Sequence, residues 1–264
     1  MANSTSGESV IRRVAKILGA FDGSHTALSV AAMARRADLP QTTTYRMVDE
    51  LVLEGLLQRD PNGLIQIGNR LWAQVSRSSP MLGLREAAMP FMEDVQAVVG
   101  HHTALGVLEG DEVLYIERLG SRTSTINIAE VARRLPLHGA SSGMVLLAHA
   151  PAEFQERVLS RRLTKFTSHT VVDPDVLRRQ LADIRQQGYA VRSGIIIAPS
   201  SGIAVPIFGA DDNVVATLSV IVPINEENAA ARVPVLRAAA RGISRALGWQ
   251  GRGPEHVRQS VPRG

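Results

Sequence analysis

Leu28-Ser-Val-Ala-Ala-Met-Ala-Arg-Arg-Ala-Asp-Leu-Pro-Gln-Thr-Thr-Thr-Tyr-Arg46 decides how this chain is read. Ser29 is a helix N-cap, and Leu28 with Met33 fills the N′ and N4 positions of a hydrophobic staple, which predicts a helix over 30–37. Pro40 suits a first helical position, where its missing N–H costs nothing. The helix it opens has Tyr45, Val48, Leu51, Val52 and Leu56 as apolar positions at helical spacing. Only Asp38-Leu39 separates the two helices, and Asp is among the few non-glycine residues that tolerate left-handed backbone. So brief a corner makes a helix-turn-helix, whose second helix enters the DNA major groove.

Downstream, the short extended runs 56–59 and 64–67 are joined by Asp60-Pro-Asn-Gly63, a tight-turn signal. A hairpin placed there makes the motif winged and brings Arg59 and Asn62 within reach of phosphates. Upstream, Ser9 caps a helix to about residue 21, with Val10, Val14, Ile17, Leu18 and Phe21 on one face. Between residues 10 and 48 the charges are Arg12, Arg13, Lys16, Arg35, Arg36 and Arg46 against Asp22 and Asp38, a positive excess where a duplex docks. Gln41, Thr42, Thr43, Thr44 and Arg46 are the candidate DNA-facing residues: Thr and Gln reach phosphates or base edges, and Arg grips phosphate or reads guanine. Ser29, Arg35, Arg36 and Asn62 are candidates for positioning the duplex.

The chain has 264 residues, 45% of them hydrophobic, and a formal net charge of +4. That is enough apolar material for a sizeable core in two modest domains. With no cysteine there is no disulfide or thiolate metal site. No apolar run is long enough to cross a membrane, and residues 1–8 are polar, so a cytoplasmic protein is expected.

Past the wing, Leu71, Trp72 and Val75 pattern a helix over 69–77, and Ser78-Ser79-Pro80 breaks it. A longer helix over 82–99 contains Pro90, a kink signal. Strands are expected over 103–109 and 112–118, joined by Gly110-Asp111, and over 123–128. Helices follow over 140–148, after Pro151, and over 174–187 between the Asp173 cap and Gly188. Strands over 189–192, 203–208 and 214–222 precede a last helix opened by Pro234. Hairpins flanked by helices predict an α+β fold with a largely antiparallel sheet. From residue 249 the chain is basic and rich in Gly and Pro, the pattern of a disordered tail.

Gly139-Ala-Ser-Ser-Gly143 matches the G-x-S-x-G nucleophile elbow, which needs a strand running into the serine, then an acid and a histidine. Pro136 spoils that strand, and His149 and His169 come too early relative to a convincing acid, so no enzyme is expected. Small side chains at a helix start instead leave N–H groups open to an anion. The vicinal His101-His102 cannot easily put both rings on one ion, and neither metal nor cofactor is expected.

Val10-Ile-Arg-Arg-Val-Ala-Lys-Ile-Leu18, Leu39-Pro-Gln-Thr-Thr-Thr-Tyr-Arg46, Leu135-Pro-Leu-His-Gly-Ala-Ser-Ser-Gly143, and Gln187-Gly-Tyr-Ala190 ahead of Gly202-Ile-Ala-Val-Pro206 resemble, in order, segments of the IclR family of bacterial transcription regulators. The resemblance runs from about residue 9 to 247. It implies an N-terminal winged helix-turn-helix over 9–68, a linker helix over 69–80 that pairs subunits, a GAF-like effector-binding domain over 81–248 and a tail over 249–264. It also implies a homodimer or homotetramer on double-stranded DNA with inverted half-sites. Motif matching places Ser141 and Ser142 where backbone contacts a small ligand, Gly202, Ser219 and Ile221 on strands lining the site, and Leu135 with Ile126 as an apolar wall.

Two departures from the family pattern bear on the ligand. An acidic run usual after Gly188-Tyr-Ala is here Val191-Arg-Ser-Gly-Ile-Ile-Ile-Ala-Pro199, and a residue commonly Cys or Ser is Gly202. Removing carboxylates removes repulsion toward an anion, Ile195-Ile-Ile197 adds apolar lining, and Arg192 can pair a carboxylate. The expected effector is a small, partly apolar organic acid, aromatic acids included. The competing reading makes Ile195-Ile-Ile197 a buried strand or oligomer contact and turns Arg192 to water. The expectation is therefore a DNA-binding transcription regulator, repressor or activator, whose operator affinity follows an organic acid and which controls a catabolic operon. The alternatives are a DNA-binding protein whose second domain only oligomerises, and a serine hydrolase using Ser141.

Overall fold

The computed structural model describes residues 8–120 and 133–251. It divides into two compact units, 1–80 and 81–264. The expected strand over 123–128, with Ile126, lies outside the described residues.

In the first unit, α1 (Val10–Leu18) is capped by Ser9 and stops three residues earlier than its pattern suggests. Phe21, beyond its end, still packs on the core. Helix α2 (Val30–Ala37) is capped by the Ser29 hydroxyl, and both staple residues, Leu28 and Met33, are buried. Asp38 takes the left-handed conformation, φ 50° and ψ 55°, and the Leu39 N–H closes back on the Ala34 carbonyl at 3.0 Å. Pro40 stands just outside α3 (Gln41–Leu53) as its N-cap rather than as its first residue. Strands β1 (Leu57–Arg59) and β2 (Ile65–Ile67) pair antiparallel as the wing. The Asp60 carboxylate accepts the Asn62 and Leu64 N–H groups inside the turn. Leu28 adds a third edge, exchanging both backbone hydrogen bonds with Ile65. Helix α4 (Asn69–Ser78) ends the unit with no buried residue, and Trp72 is 68% exposed.

In the second unit, α5 (Pro80–Val99) carries Pro90 within one continuous helix. The sheet runs β5-β4-β3-β8-β7-β6, antiparallel throughout, from β3 (His102–Glu109), β4 (Glu112–Leu119), β5 (Arg134–Pro136), β6 (Ala190–Ser193), β7 (Ser200–Phe208) and β8 (Val214–Pro223). Pro136 does not prevent a strand: β5 is a sheet edge, where a missing donor is tolerated. One face, with Ala104, Ala204 and Ile221, packs against α6 (Ser141–His149), α7 (Ala152–Leu159) and α8 (Pro174–Gln187). The other, with Ile203, Val205, Leu218 and Val220, packs against α5 and α9 (Ala229–Ala246). Pro234 lies inside α9 rather than opening it, because Asn228 caps the helix through the Ala231 N–H. Trp249, expected in a disordered tail, stacks on Phe208 at 5.3 Å and donates Nε1–H to Asp212. An indole that finds an aromatic face and an acceptor is held by the fold.

Helix α6 runs close beneath the loop that precedes it. A Cβ on Gly143 would stand 2.4 Å from the Leu137 carbonyl oxygen and 2.5 Å from its Cα. The second glycine of G-x-S-x-G is therefore a packing requirement. His138 donates its Nε2–H to the Thr164 carbonyl at 2.9 Å, and His149 donates its Nδ1–H to the Val145 carbonyl at 2.9 Å. Burial holds the pKa of both rings below the ordinary 6.5.

Two outcomes follow for the second unit. Gly→Ala inside a helix ordinarily stabilises; Gly143→Ala should instead lower stability by about 2–3 kcal/mol in chemical denaturation, because its methyl meets backbone. Since both rings are neutral in the fold, the stability they permit is full above about pH 6.5 and declines as pH falls, when the unfolded chain takes up protons first. Melting temperature should drop from pH 7.5 to 5.5, and His149→Gln should reduce that drop.

Candidate DNA-contacting surface and effector pocket

The outer face of α3 is built by the short corner that precedes it. Gln41, Thr42 and Arg46 are exposed and Thr43 is half-buried. Thr44 is fully buried, and its hydroxyl donates to the Pro40 carbonyl at 3.1 Å, so it belongs to the core rather than to the DNA-facing set. Tyr45, expected in the apolar stripe, is 46% exposed instead. The buried stripe is Thr44, Met47, Val48 and Leu51. The signal for Tyr45 was present: it lies four residues after Gln41 and three after Thr42, on their face.

The positioning set divides in the same way. Arg35 and Asn62 are exposed, and the Ser29 hydroxyl is spent on the Ala32 N–H at 3.2 Å. Arg36 is a brace: its Nε donates to the Ala20 carbonyl at 2.7 Å and its Nη2 to Asp22 at 2.5 Å. The Ser24 hydroxyl and the His25 ring hold the Asp22 carboxyl well below the usual carboxylate range, keeping it an anion for that contact. Arg59 on the wing is paired with Asp49 of α3 at 2.6 Å. Arg36 and Arg59 are thus tied to carboxylates, whereas among the described residues Arg35 and Arg46 form no ion pair.

In the second unit an open recess with a cavity volume of about 40 Å³ lies between the start of α6 and the sheet. Leu135, Ser141, Arg192, Gly202 and Ile221 line it, joined by Ile195 and Ile196 from the turn after β6. Ser142 and Ser219 are buried but do not line it, and the Ser219 hydroxyl bonds the Ala104 carbonyl at 3.3 Å within the sheet. Tyr115, Gly139, Ala140 and Ser200 line it as well, a set that motif matching does not supply. For Tyr115 the sequence holds no signal, because only the β3–β4 register brings the ring there; burial pushes its hydroxyl up to about 12, so it stays protonated.

The polar groups in this recess favour an anion. The N-cap of α6 is Ala140, which has no side chain to satisfy the helix's first N–H groups. Gly202 has no Cβ, and one placed there would stand 2.7 Å from the Ser141 Oγ. Arg192, 9% exposed, does not face water: Nη1 donates to the Gln180 side-chain oxygen at 2.9 Å and Nη2 to the His138 carbonyl at 2.7 Å. Its buried Nε has no partner, and among the described residues it forms no salt bridge. Burial lowers its pKa to about 10, still charged at neutral pH. β5 ends at Pro136, short of Ser141, and the rings of His138 and His149 are bonded to backbone carbonyls.

Comparison with known proteins agrees with both halves. The family description "IclR helix-turn-helix domain" matches residues 10–61, and "Bacterial transcriptional regulator IclR C-terminal" matches 78–245. The HTH-type transcriptional regulator XynR of Escherichia coli K12 is 29% identical over 247 residues, covering 90% of this chain and 97% of that protein. The transcriptional repressor AllR of the same strain is 28% identical over 247 residues, covering 92% and 91%. An IclR homolog from Microbacterium hydrocarbonoxydans, solved as a complex with 4-hydroxybenzoate, is 44% identical with a TM-score of 0.85, over 90% of this chain and 99% of that one. No helix among the described residues is long and apolar enough to cross a membrane. With a winged helix-turn-helix, an antiparallel sheet under helices and matches across both units, this chain belongs to the IclR family of DNA-binding bacterial transcription regulators.

Proposed function

We propose that the second unit senses a small aromatic carboxylic acid and that its occupancy sets the affinity of the first unit for an operator, in control of a catabolic operon. The observation that carries this reading is Arg192, a buried cation in an apolar-walled recess with an unpartnered Nε and, among the described residues, no ion pair. A buried charge without a counter-ion is costly, and an incoming carboxylate removes that cost. The first N–H groups of α6, left without a side-chain cap, add a second anion-favouring feature, and Ile195, Ile196, Leu135 and Ile221 suit a ring. The 4-hydroxybenzoate complex of the 44% identical relative supports the same ligand class.

On the DNA side, Gln41, Thr42, Thr43, Tyr45 and Arg46 form the reading face, with Arg35 and Asn62 on the phosphates. Ser29, Thr44 and Arg36 act beneath them by fixing the corner. The protein binds as a homodimer or homotetramer to inverted half-sites, the arrangement that two-fold symmetry imposes. Helix α4, with Trp72 and Val75 outward, offers an apolar face for pairing.

Arg46→Ala should weaken binding to a fragment from the gene's own promoter by about tenfold or more in fluorescence anisotropy, whereas Thr44→Val should retain that affinity. Equal losses in both would count against this division. Arg192→Leu should abolish the thermal stabilisation given by benzoate and 4-hydroxybenzoate. Stabilisation only by neutral or cationic compounds would overturn the acid reading.

A further inference from the structure

Arg192 lines two recesses. On one side is the apolar pocket with Ser141 and Gly202; on the other is a polar groove between α8 and β6, with Gln180, Asp183 and Gln187 in its wall. Gln180, half-buried on α8, meets the guanidinium where the two recesses adjoin. The His138 carbonyl fixes the other Nη. Both anchors are neutral oxygens, so they orient the fork without cancelling its charge. Asp183 shares the outer groove yet makes no ion pair with Arg192.

We infer that Gln180 is the positioning and selectivity residue of the effector site: its amide aims Arg192 at the pocket while leaving the positive charge to be neutralised by the ligand's carboxylate. This rests on the proposed acid-binding role of Arg192. A carboxylate at residue 180 has nearly the same shape and the same acceptor oxygen, but it supplies the counter-ion from within the chain. Glutamate there makes the sensor self-satisfied: more stable when empty and insensitive to acids. A leucine there removes the anchor without supplying charge.

The test uses the full chain, with sodium 4-hydroxybenzoate as probe and the neutral 4-hydroxybenzamide as its control, read by thermal shift and calorimetric titration. Wild type is expected to bind the acid and not the amide, and Arg192→Leu to lose the acid. Gln180→Glu is expected to melt higher than wild type without ligand and to bind the acid at least about tenfold more weakly. Gln180→Leu is expected to bind the acid more weakly with no rise in ligand-free melting. If Arg192→Leu loses the acid but Gln180→Glu binds it like wild type, the role of Gln180 is overturned and the acid reading stands. If both Gln180 variants melt lower and lose affinity alike, Gln180 is only structural and the inference falls. If wild type and Arg192→Leu respond equally to the acid, the underlying reading fails instead.

Discussion

The close approach of α6 to the sheet and to its own leading loop is the constraint on which the second unit depends. The sheet is covered on both faces, so the helix on one of them has little room for side chains where it begins. Gly143 lets the Leu137 backbone pass, and Gly202 leaves space opposite the Ser141 hydroxyl. Small residues at that junction do two things at once. They let the core close, and they leave a recess walled partly by backbone, where helix N–H groups and one buried guanidinium are the main polar features. The pocket is what remains after tight packing rather than an opening added to it.

Much of this was legible because it is local. The Ser29 cap, the Leu28–Met33 staple, the left-handed Asp38 and the Asp173–Gly188 limits of α8 each depend on neighbours within a few positions, and the structure carries them as their sequence patterns require. What sequence missed depends on non-local pairing. Tyr115 reaches the pocket through strand register, and β5 exists because it borders β4 at an edge where proline is harmless. Pro234 misled because an asparagine cap six residues earlier outweighs it.

The arginines show the same limit. Composition treats Arg35, Arg36, Arg46 and Arg59 as one positive field, yet Arg36 and Arg59 are tied to Asp22 and Asp49. These ties brace the corner and the wing against their neighbours, so part of the charge counted near the duplex serves rigidity. Thr44 makes the same point for the threonine run. A helix can present only one face, and the third threonine in sequence turns inward to seal its first turn.

The chain has two tryptophans, and the fold gives them contrasting surroundings. Trp72 stands in solvent on α4, whereas Trp249 is sandwiched on Phe208 with its indole nitrogen bonded to Asp212. Their emission spectra therefore differ, the first red-shifted and open to quenchers, the second shielded. A single unlabelled sample carries one optical reporter in each unit, able to register changes at α4 and in the second unit separately.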